Sequence, residues 1–235
     1  MEANLSPELN TKVEALKAFL AQMTRRFEDI TYASSLGAEA IVLMDVLIRD
    51  FPEVEIFTLD TGRLHEETYL LLEQLQTRYS RSVKVYYPEA QSVESYVNEH
   101  GINGFFRNPD LRQSCCHIRK VEPFKRAIAG KQAWITGVRR SQSANRAAVQ
   151  PLEWDQRYGL YKISPLIDWE DGDVWEYIRA FELPYNNLHN RDYPSIGCAP
   201  CTRAIQSGES HRDGRWWWEN ASHRECGLQP RIRVA

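Results

Sequence analysis

The chain has 235 residues, a formal net charge of −3, 43% hydrophobic and 26% charged residues, which is ordinary for a soluble globular protein. This acidic balance gives no support to nucleic-acid binding through an overall basic field. No apolar run approaches the roughly 20 residues that cross a bilayer. The start, Met1 to Lys12, is polar and acidic, so no signal peptide is evident. We therefore expect a cytoplasmic protein without a membrane or nucleic-acid partner, whose cysteines are ligands or catalysts rather than disulfides.

The hydrophobic pattern predicts strands that alternate with helices. In chain order we predict a helix over 8–27, a strand at 29–33, a helix from 38, a strand at 54–59, a helix over 65–79, a strand at 83–87, helices at 93–100 and 121–129, a strand at 133–137 and a helix over 172–181. This alternation indicates an α/β fold with a parallel sheet, whose ligands collect beyond the carboxyl ends of the strands. We expect one α/β domain over 1–205 and a C-terminal tail over 206–235.

The five cysteines fall into three groups. Cys115 and Cys116 are adjacent, Cys198 and Cys201 form a Cys-x-x-Cys, and Cys226 stands alone near the end. Two close pairs suit a metal or iron–sulfur site, and a vicinal disulfide would be strained. We favour a 4Fe–4S cluster over structural zinc, because zinc ligands usually come as two spaced hooks rather than an adjacent pair.

The lone cysteine, Cys226, has the surroundings of a nucleophile. Arg212, Arg215 and Arg224 lie nearby in the sequence and favour the thiolate. An unused surface cysteine is the alternative. Lys120, four residues after Cys116, would place a cation beside the anionic cluster, although it could equally be a solvated lysine. The three tryptophans after Arg215 more often pack a helix on a core than stack bases, so we assign them no chemistry.

Three loops that follow strands carry residues suited to a nucleotide. Ser34, Ser35 and Gly37 form a small-residue turn that could hold a phosphate, or simply cap a helix; it is not a Walker A loop. Asp60, Thr61 and Gly62 suit ribose or adenine contacts, or an ordinary turn. The third loop is predicted to form an anion clamp, with a solvated basic loop as the alternative. Its arginines are Arg139, Arg140 and Arg146.

Together these segments resemble the assimilatory adenylyl-sulfate reductases, relatives of the phosphoadenylyl-sulfate reductases, from about Asp29 to Leu228. Seven motifs carry the resemblance: Ser34-Ser35-Leu36-Gly37-Ala38-Glu39, Leu59-Asp60-Thr61-Gly62, Cys115-Cys116-x-x-Arg119-Lys120, Ile135-Thr136-Gly137-x-Arg139-Arg140-x-Gln142-Ser143, Gly197-Cys198-x-x-Cys201-Thr202-Arg203, Gly214-Arg215-Trp216-Trp217-Trp218-Glu219 and Glu225-Cys226-Gly227-Leu228. The resemblance implies an adenine-nucleotide α-hydrolase-like fold, of the PP-loop or Rossmann-like kind.

The resemblance also implies a chemistry. Cys115, Cys116, Cys198 and Cys201 would hold one 4Fe–4S cluster per subunit, which in this family is non-redox, and Cys226 would attack the sulfur of adenosine 5′-phosphosulfate. AMP leaves, and a separate thioredoxin, or a glutaredoxin-like donor, releases sulfite from the S-sulfocysteine. Lys120, Arg212 and Arg215 match positions that stabilise the sulfonyl oxygens, and Arg146 one that binds the nucleotide phosphate. A homo-oligomer is left open.

Two positions depart from the family pattern. Gln229 stands where a histidine usually follows the nucleophile, which puts the role of that histidine in question, although an amide can still donate a hydrogen bond. Ala40 replaces a commoner acidic residue, and we expect this to affect packing more than chemistry.

Three other functions are weighed against this one. The same reaction on the 3′-phosphorylated nucleotide is the nearest, but enzymes for that substrate typically lack the two cysteine pairs. A tRNA-thiolation enzyme should show a Ser-Gly-Gly-x-Asp-Ser loop and a basic face, and this sequence has neither. A zinc-stapled binding module would leave Cys226 dispensable.

Overall fold

The structure is a computed structural model that describes residues 5–142, 146–219 and 228. The chain forms two compact units, each built from separate stretches of sequence. The first comprises Met1–Thr58, Glu67–Lys84 and Gly130–Asn187, and the second Leu59–Glu66, Val85–Ala129 and Leu188–Ala235. The expected boundary at residue 205 stays a prediction.

The first unit is organised around a mixed sheet. Among the described residues its strands are β1 (Ile30–Ser34), β2 (Glu55–Leu59), β3 (Lys84–Tyr86), β4 (Ala133–Ile135), β5 (Leu152–Asp155) and β6 (Leu160–Ile163). They lie in the order β3-β2-β1-β4-β6-β5, and of β3 only Lys84 belongs to this unit. The pairs β1–β2, β1–β4 and β4–β6 are parallel, and β5–β6 is antiparallel. The predicted α/β fold with a largely parallel sheet is confirmed.

Four helices belong to this unit: α1 (Pro7–Arg26), α2 (Ala38–Asp50), α3 (Glu66–Tyr79) and α7 (Asp171–Ala180). Helix α1 begins where the Ser6 hydroxyl accepts a hydrogen bond from the backbone N–H of Leu9, and Pro7 occupies its first turn. Helix α2 is buried almost all round, from Ala40 to Leu47, as expected for a helix inside a core.

Helix α2 carries one fully buried carboxylate, Asp45. It accepts hydrogen bonds from the hydroxyls of Tyr79 (2.7 Å) and Tyr177 (2.8 Å) and from the guanidinium of Arg49 (2.9 Å). A buried charge is tolerated only when it is paired and hydrogen-bonded, and here three donors meet that requirement. The network links α2 to α3 and α7, the helices that carry the two tyrosines.

The second unit consists mainly of short helices: α4 (Ala90–His100), α5 (Pro109–Cys116) and α6 (Glu122–Ala127). Between α5 and α6 the backbone makes a π-helical turn over His117–Val121. Short 3₁₀ turns cover Gly104–Phe106 and Ala199–Cys201. No helix in the described part of the chain is both long and apolar enough to cross a membrane.

Most predicted elements are present within a few residues of their expected ends, but three were missed. Helix α5 precedes the expected helix over 121–129, which is itself shortened to Glu122–Ala127. The hairpin β5–β6 was also missed: its strands are four residues each, and Lys162, buried at 1% exposure against Glu153, interrupts the apolar pattern of β6. Strands this short give little periodic signal.

Candidate cysteine centre and anion-binding loops

The four paired cysteines meet around one cavity in the second unit. Within the described residues these four cysteines form no disulfide; Cys116, Cys198 and Cys201 are buried and Cys115 is half-buried. The remaining lining is mostly cationic and aromatic: Arg63, Phe105, Arg112, Arg119, Lys120 and Pro200. Residues separated by more than 80 positions are thus brought together, as the two-pair pattern predicts.

Helix α5 presents the adjacent pair. The Asn108 side chain accepts a hydrogen bond from the backbone N–H of Leu111 (2.9 Å) and caps the start of the helix. Cys115 and Cys116 are its last two residues, and the π turn begins at the next residue, His117. Neighbouring side chains of a regular helix point in different directions. Both cysteines precede the π turn, a backbone conformation that occurs frequently at functional sites.

The second pair lies on a 3₁₀ turn. The backbone N–H of Cys201 donates to the carbonyl of Cys198 (2.9 Å), and the Thr202 hydroxyl donates to the same carbonyl (3.0 Å). The N–H of Ala199 donates to the carbonyl of Arg63 (2.8 Å), which ties the turn to the loop after β2. Two intervening residues in a tight turn keep both sulfurs on one side.

The turn Asp60-Thr61-Gly62 lies against this centre. The Thr61 hydroxyl is 3.2 Å from the Cys198 sulfur, and the Thr61 carbonyl accepts a hydrogen bond from Arg119 (2.6 Å). Gly62 has a φ of +69°, and a Cβ there would lie 3.4 Å from the Arg119 guanidinium, so glycine suits this position. Sequence reasoning expected ribose or adenine contacts from this turn and missed its contact with a cysteine.

Two of the thiols, those of Cys201 and Cys115, have a raised pKa. Burial raises the pKa of Cys201 to about 12; the neighbouring Cys198 and Cys116 raise it further, while Lys120 and Arg215 oppose the shift. Burial likewise raises the pKa of Cys115, against the lowering effect of Arg119. Four clustered sulfurs that repel each other as thiolates are stabilised when they share a metal centre. The donor set therefore fits a thiolate-bound metal or iron–sulfur group.

Buried donors near the cysteines strengthen this fit. Trp216 packs in one apolar cluster with Phe105, Cys198 and Cys201, and Trp218 packs against that cluster. Within the described residues, the indole N–H groups of Trp216 and Trp218 and the Nε of Arg215 are buried without a hydrogen-bond partner. Buried donors are normally satisfied. The sulfurs of a bound group are acceptors that would satisfy such donors.

A buried ion pair stands beside the cysteines. Arg112 donates from Nε and Nη2 to the two carboxylate oxygens of Glu219, each at 2.9 Å, and the two side chains are 1% and 2% exposed. The Trp216 ring has Arg112 at 4.9 Å and Arg215 at 4.7 Å from its centroid. Arg215 also donates to the carbonyl of Ile196 (3.1 Å). The sequence analysis did not predict this pairing of Arg112 with Glu219.

Arg212 lies in the same stretch of the second unit. It is half-buried, and its carbonyl accepts a hydrogen bond from the backbone N–H of Arg215 (3.0 Å). Cys226 and Gln229 lie outside the described residues. The sequence therefore remains the basis for their expected roles.

The small-residue turn of the first unit connects β1 to α2. The backbone N–H groups of Leu36 and Gly37 donate to the hydroxyls of Ser34 (3.3 Å) and Ser35 (3.4 Å). Gly37 precedes α2 without a side-chain cap, so the first turn keeps N–H groups that can face an anion. Ala40 is buried in α2 at 1% exposure, in keeping with the packing role that we expected for it.

The loop after β4 lies against this turn within the same unit. Arg139 is 1% exposed and donates to Glu39 (2.8 and 3.1 Å), to the Ser141 hydroxyl and the Trp169 carbonyl (both 3.1 Å), and to Asp171. All five of its N–H groups therefore have protein acceptors. The expected role of Arg139 as a direct anion contact does not match this placement; its guanidinium organises the loop instead.

Glu39 is the centre of that arrangement. The same carboxylate oxygen accepts from Arg139 and from the Gln142 amide (2.8 Å). Burial favours the neutral carboxyl, but the charge and hydrogen bonds of Arg139 outweigh it, so the pKa of Glu39 lies below its ordinary value of 4.5. The same pairing raises the pKa of Arg139. The sequence motif contains Glu39, but it did not predict the pairing of Glu39 with Arg139.

The other two arginines of the loop are more accessible. Arg140 and Arg146 are both half-buried. Arg140 pairs with the exposed carboxylate of Asp168, and Arg146 donates to Gln142. The ion pair of Arg140 exchanges readily with a competing anion, since an exposed ion pair contributes little free energy, and the partner of Arg146 is a neutral amide. Both positions therefore stay compatible with the predicted anion clamp.

Comparison with known proteins gives a consistent family. A model described as the phosphoadenosine phosphosulfate reductase domain matches residues 29–204. Two curated proteins named adenosine 5′-phosphosulfate reductase are similar over 95% of this chain: one from Burkholderia cepacia (49% identical, 90% of its length) and one from Allochromatium vinosum (48%, 87%). A crystal structure of phosphoadenylyl-sulfate reductase from Candida auris, in a phosphate complex, has a TM-score of 0.70 at 28% identity, covering 86% of this chain and 98% of that one. FMN adenylyltransferase from Candida glabrata shares the fold alone (TM-score 0.63, 14% identity, 93% of this chain and 76% of that one).

Proposed function

Since the chain belongs to the phosphoadenosine phosphosulfate reductase family, we propose that it is an oxidoreductase that reduces adenosine 5′-phosphosulfate to sulfite and AMP in sulfate assimilation and cysteine biosynthesis. Two relatives at 48–49% identity carry the name of that activity. The observation that carries the proposal is the meeting of four cysteines in one cationic cavity, which a simple nucleotide-binding protein would not need.

The group held by these cysteines is a 4Fe–4S cluster in this proposal. Cys115, Cys116, Cys198 and Cys201 are its ligands. Four thiolates, an adjacent cysteine pair and buried N–H donors suit such a cluster. When bound, the cluster would supply a fixed charge and hold together the segments that reach it. Thr61 and Arg119 would fix the orientation of these segments, through their contacts with Cys198 and with each other.

The first chemical step belongs to Cys226. Its thiolate attacks the sulfate sulfur, the bond from that sulfur to the AMP phosphate oxygen breaks, and AMP leaves with the electron pair. The product on the enzyme is an S-sulfocysteine. Charge shifts during this step, and Lys120, Arg212 and Arg215 are the cations proposed to stabilise the sulfonyl oxygens.

The second step uses a separate dithiol protein of the thioredoxin type. Its thiolate attacks the Cys226 sulfur, and the sulfur–sulfur bond breaks to release sulfite. The second thiol of the donor then resolves the mixed disulfide. Cys226 returns to the thiolate and the donor is left oxidised by two electrons, so electrons balance. The donor, the cytoplasmic compartment and the oligomeric state stay predictions.

The nucleotide would be held by the loops that the sequence singled out. Ser34, Ser35 and Gly37 offer hydroxyls and helix N-terminal N–H groups to phosphate, and Arg140 and Arg146 offer cations. Arg139 contributes indirectly, by fixing Glu39 and the loop that carries Arg140 and Arg146. The turn Asp60-Thr61-Gly62 also contacts the cysteine centre, through the Thr61 hydroxyl. Nucleotide contacts from this turn would therefore come through Asp60 or through backbone groups.

The 3′-phosphorylated nucleotide is the second candidate substrate. The family model and the Candida auris structure both carry the name of enzymes for that substrate. Higher identity to the proteins named adenosine 5′-phosphosulfate reductase favours the unphosphorylated nucleotide.

The test is sulfite release from adenosine 5′-phosphosulfate with thioredoxin, using anaerobically purified wild type and Cys226→Ser. We expect iron and acid-labile sulfide in both proteins, and sulfite from the wild type alone. A colourless, zinc-containing and inactive wild type would leave a metal-stapled binding or thiolation protein. Activity on the 3′-phosphorylated nucleotide alone would keep the mechanism and overturn the substrate.

A further inference from the structure

The buried pair of Arg112 and Glu219 joins two distant parts of the second unit. Arg112 lies on α5, one helical turn before Cys116, and its guanidinium also interacts with the Cys116 sulfur. Glu219 is the last residue of the described range 146–219. The two parallel hydrogen bonds of the pair, both 2.9 Å, define one relative orientation of these side chains.

The segment that ends at Glu219 is also fixed to the second cysteine pair. Thr202 and Arg215 form an isolated antiparallel bridge. The N–H of Trp216 donates to the carbonyl of Cys201 (3.2 Å), and the N–H of Glu219 donates to the carbonyl of Trp216 (2.9 Å). Trp216 adopts a φ of +44°, which a non-glycine residue keeps only where its surroundings impose it. Arg112 and Arg215 flank the Trp216 ring, and the ion pair of Arg112 with Glu219 fixes one of them, which supplies that constraint.

We propose that Glu219, acting through Arg112, is a positioning residue that anchors the C-terminal segment bearing Cys226 to the cysteine centre. The inference rests on the proposed function of Cys226 as nucleophile. Cys226 lies seven positions after Glu219, so its Cα can be at most about 24 Å from that anchor. The anchor confines the nucleophile to the neighbourhood of the cluster-bearing segments without contacting substrate.

The size of the expected effect separates positioning from simple tethering. Without Glu219 the nearest side chain packed against the cysteine cluster is that of Trp218, so the separation between the last anchor and Cys226 rises from seven to eight positions. If only this separation mattered, local concentration would fall roughly as its −3/2 power, which amounts to about 1.2-fold. Loss of orientation costs more, because small misplacements of a reacting group can cost about 100-fold in rate. A fall of about tenfold would therefore indicate positioning.

The test compares full-length, iron-loaded Glu219→Gln with wild type and with Glu209→Gln. Glu209 is a matched control: it accepts two hydrogen bonds from Arg203 (2.6 and 2.7 Å) in the same unit, but at 27% exposure. The first readout is hydrogen exchange of the peptide over 214–219, followed by mass spectrometry. The second is the single-turnover rate of sulfonate addition to Cys226 from adenosine 5′-phosphosulfate without reductant, together with substrate affinity.

We expect the 214–219 peptide of Glu219→Gln to exchange at least about tenfold faster, and Glu209→Gln to stay within about twofold of wild type. The rate of adduct formation should fall by about tenfold in Glu219→Gln alone, with substrate affinity changed by less than about twofold. Unchanged exchange, or faster exchange with an unchanged adduct rate, would overturn the proposal.

Arg112→Lys keeps the test decisive if Glu219→Gln fails to load iron. Lysine retains a cation beside Cys116 but loses the two-bond fork. Intermediate exchange and an intermediate adduct rate at full iron content support the anchor, and wild-type values overturn it. A wild type that forms no adduct at Cys226 would refute the proposed function, and the exchange measurements would then decide on their own whether Glu219 anchors the segment.

Discussion

The pairing of Glu39 with Arg139 makes a quantitative prediction for Glu39→Gln. Glutamine keeps the shape but removes the charge that faces Arg139, whose side chain is 2% exposed. Breaking a buried ion pair by removing one partner costs about 3–5 kcal/mol. Arg139 keeps hydrogen bonds to Ser141, Asp171 and Trp169, so we discount the loss to about 2 kcal/mol.

The assay is thermal unfolding of wild type, Glu39→Gln and Glu55→Gln. In a domain of this size 1 kcal/mol corresponds to about 2–4 °C in Tm, so Glu39→Gln should lower Tm by about 4–8 °C. Glu55 is the control, because its pair with Lys84 is exposed at 26% and 59% and should contribute less than about 1 kcal/mol. Both variants make the same chemical change in the same unit.

The pH dependence adds a second, independent test. The folded-state pKa of Glu39 lies below its ordinary value of 4.5, so its contribution to stability is fully present above that pH. Lowering the pH through the folded pKa protonates Glu39 and removes the contribution. The difference in stability between wild type and Glu39→Gln should therefore be constant near neutrality and shrink below pH 4.5. A pH-independent difference, or one no larger than that of Glu55→Gln, would refute the reasoning.

Two further predictions concern the other buried polar groups. Cys198→Ser should lose most of its iron on anaerobic purification, because a hydroxyl is a poor replacement for a buried thiolate ligand; chemical iron analysis checks this, and full retention would contradict the ligand assignment. Tyr177→Phe should lower the free energy of unfolding by about 1.5–3 kcal/mol in urea, since it removes one of three donors to the buried Asp45, while sulfite release stays at the wild-type rate. A loss of activity at unchanged stability would contradict a purely structural role for Tyr177.

The sequence was sufficient for the central fold because its buried elements are long or strongly periodic. Helices α1 and α2 and strands β1 and β2 each carry clear apolar patterns, and their alternation implies parallel pairing. The β5–β6 hairpin was not predicted, because a buried lysine paired with Glu153 breaks the pattern. The lysine is tolerated in the strand because the fold places the carboxylate of Glu153 beside it, which the sequence alone does not show.

For the site, the sequence identified residue types but not their partners. The two cysteine pairs were expected to share one centre, because only a few chemistries use thiols in that spacing, and in the structure they line one cavity. Arg139 was expected to bind an anion because it follows a strand beside other arginines. Its actual acceptors, Glu39 and Asp171, come from other elements, and no local pattern indicates such long-range pairing.

The partners of the basic residues also determine how charge is distributed around the cysteine cavity. Arg112 is neutralised by Glu219, so it contributes orientation rather than net charge. The partners described for Arg63 and Arg119 are instead the neutral oxygens of Ile102, Asn103 and Thr61, which leave both positive charges intact. With Lys120 lining the same cavity, cations remain to offset bound thiolates. Four basic residues line the cavity, and only their partners separate Arg112, which orients a segment, from the three that balance charge.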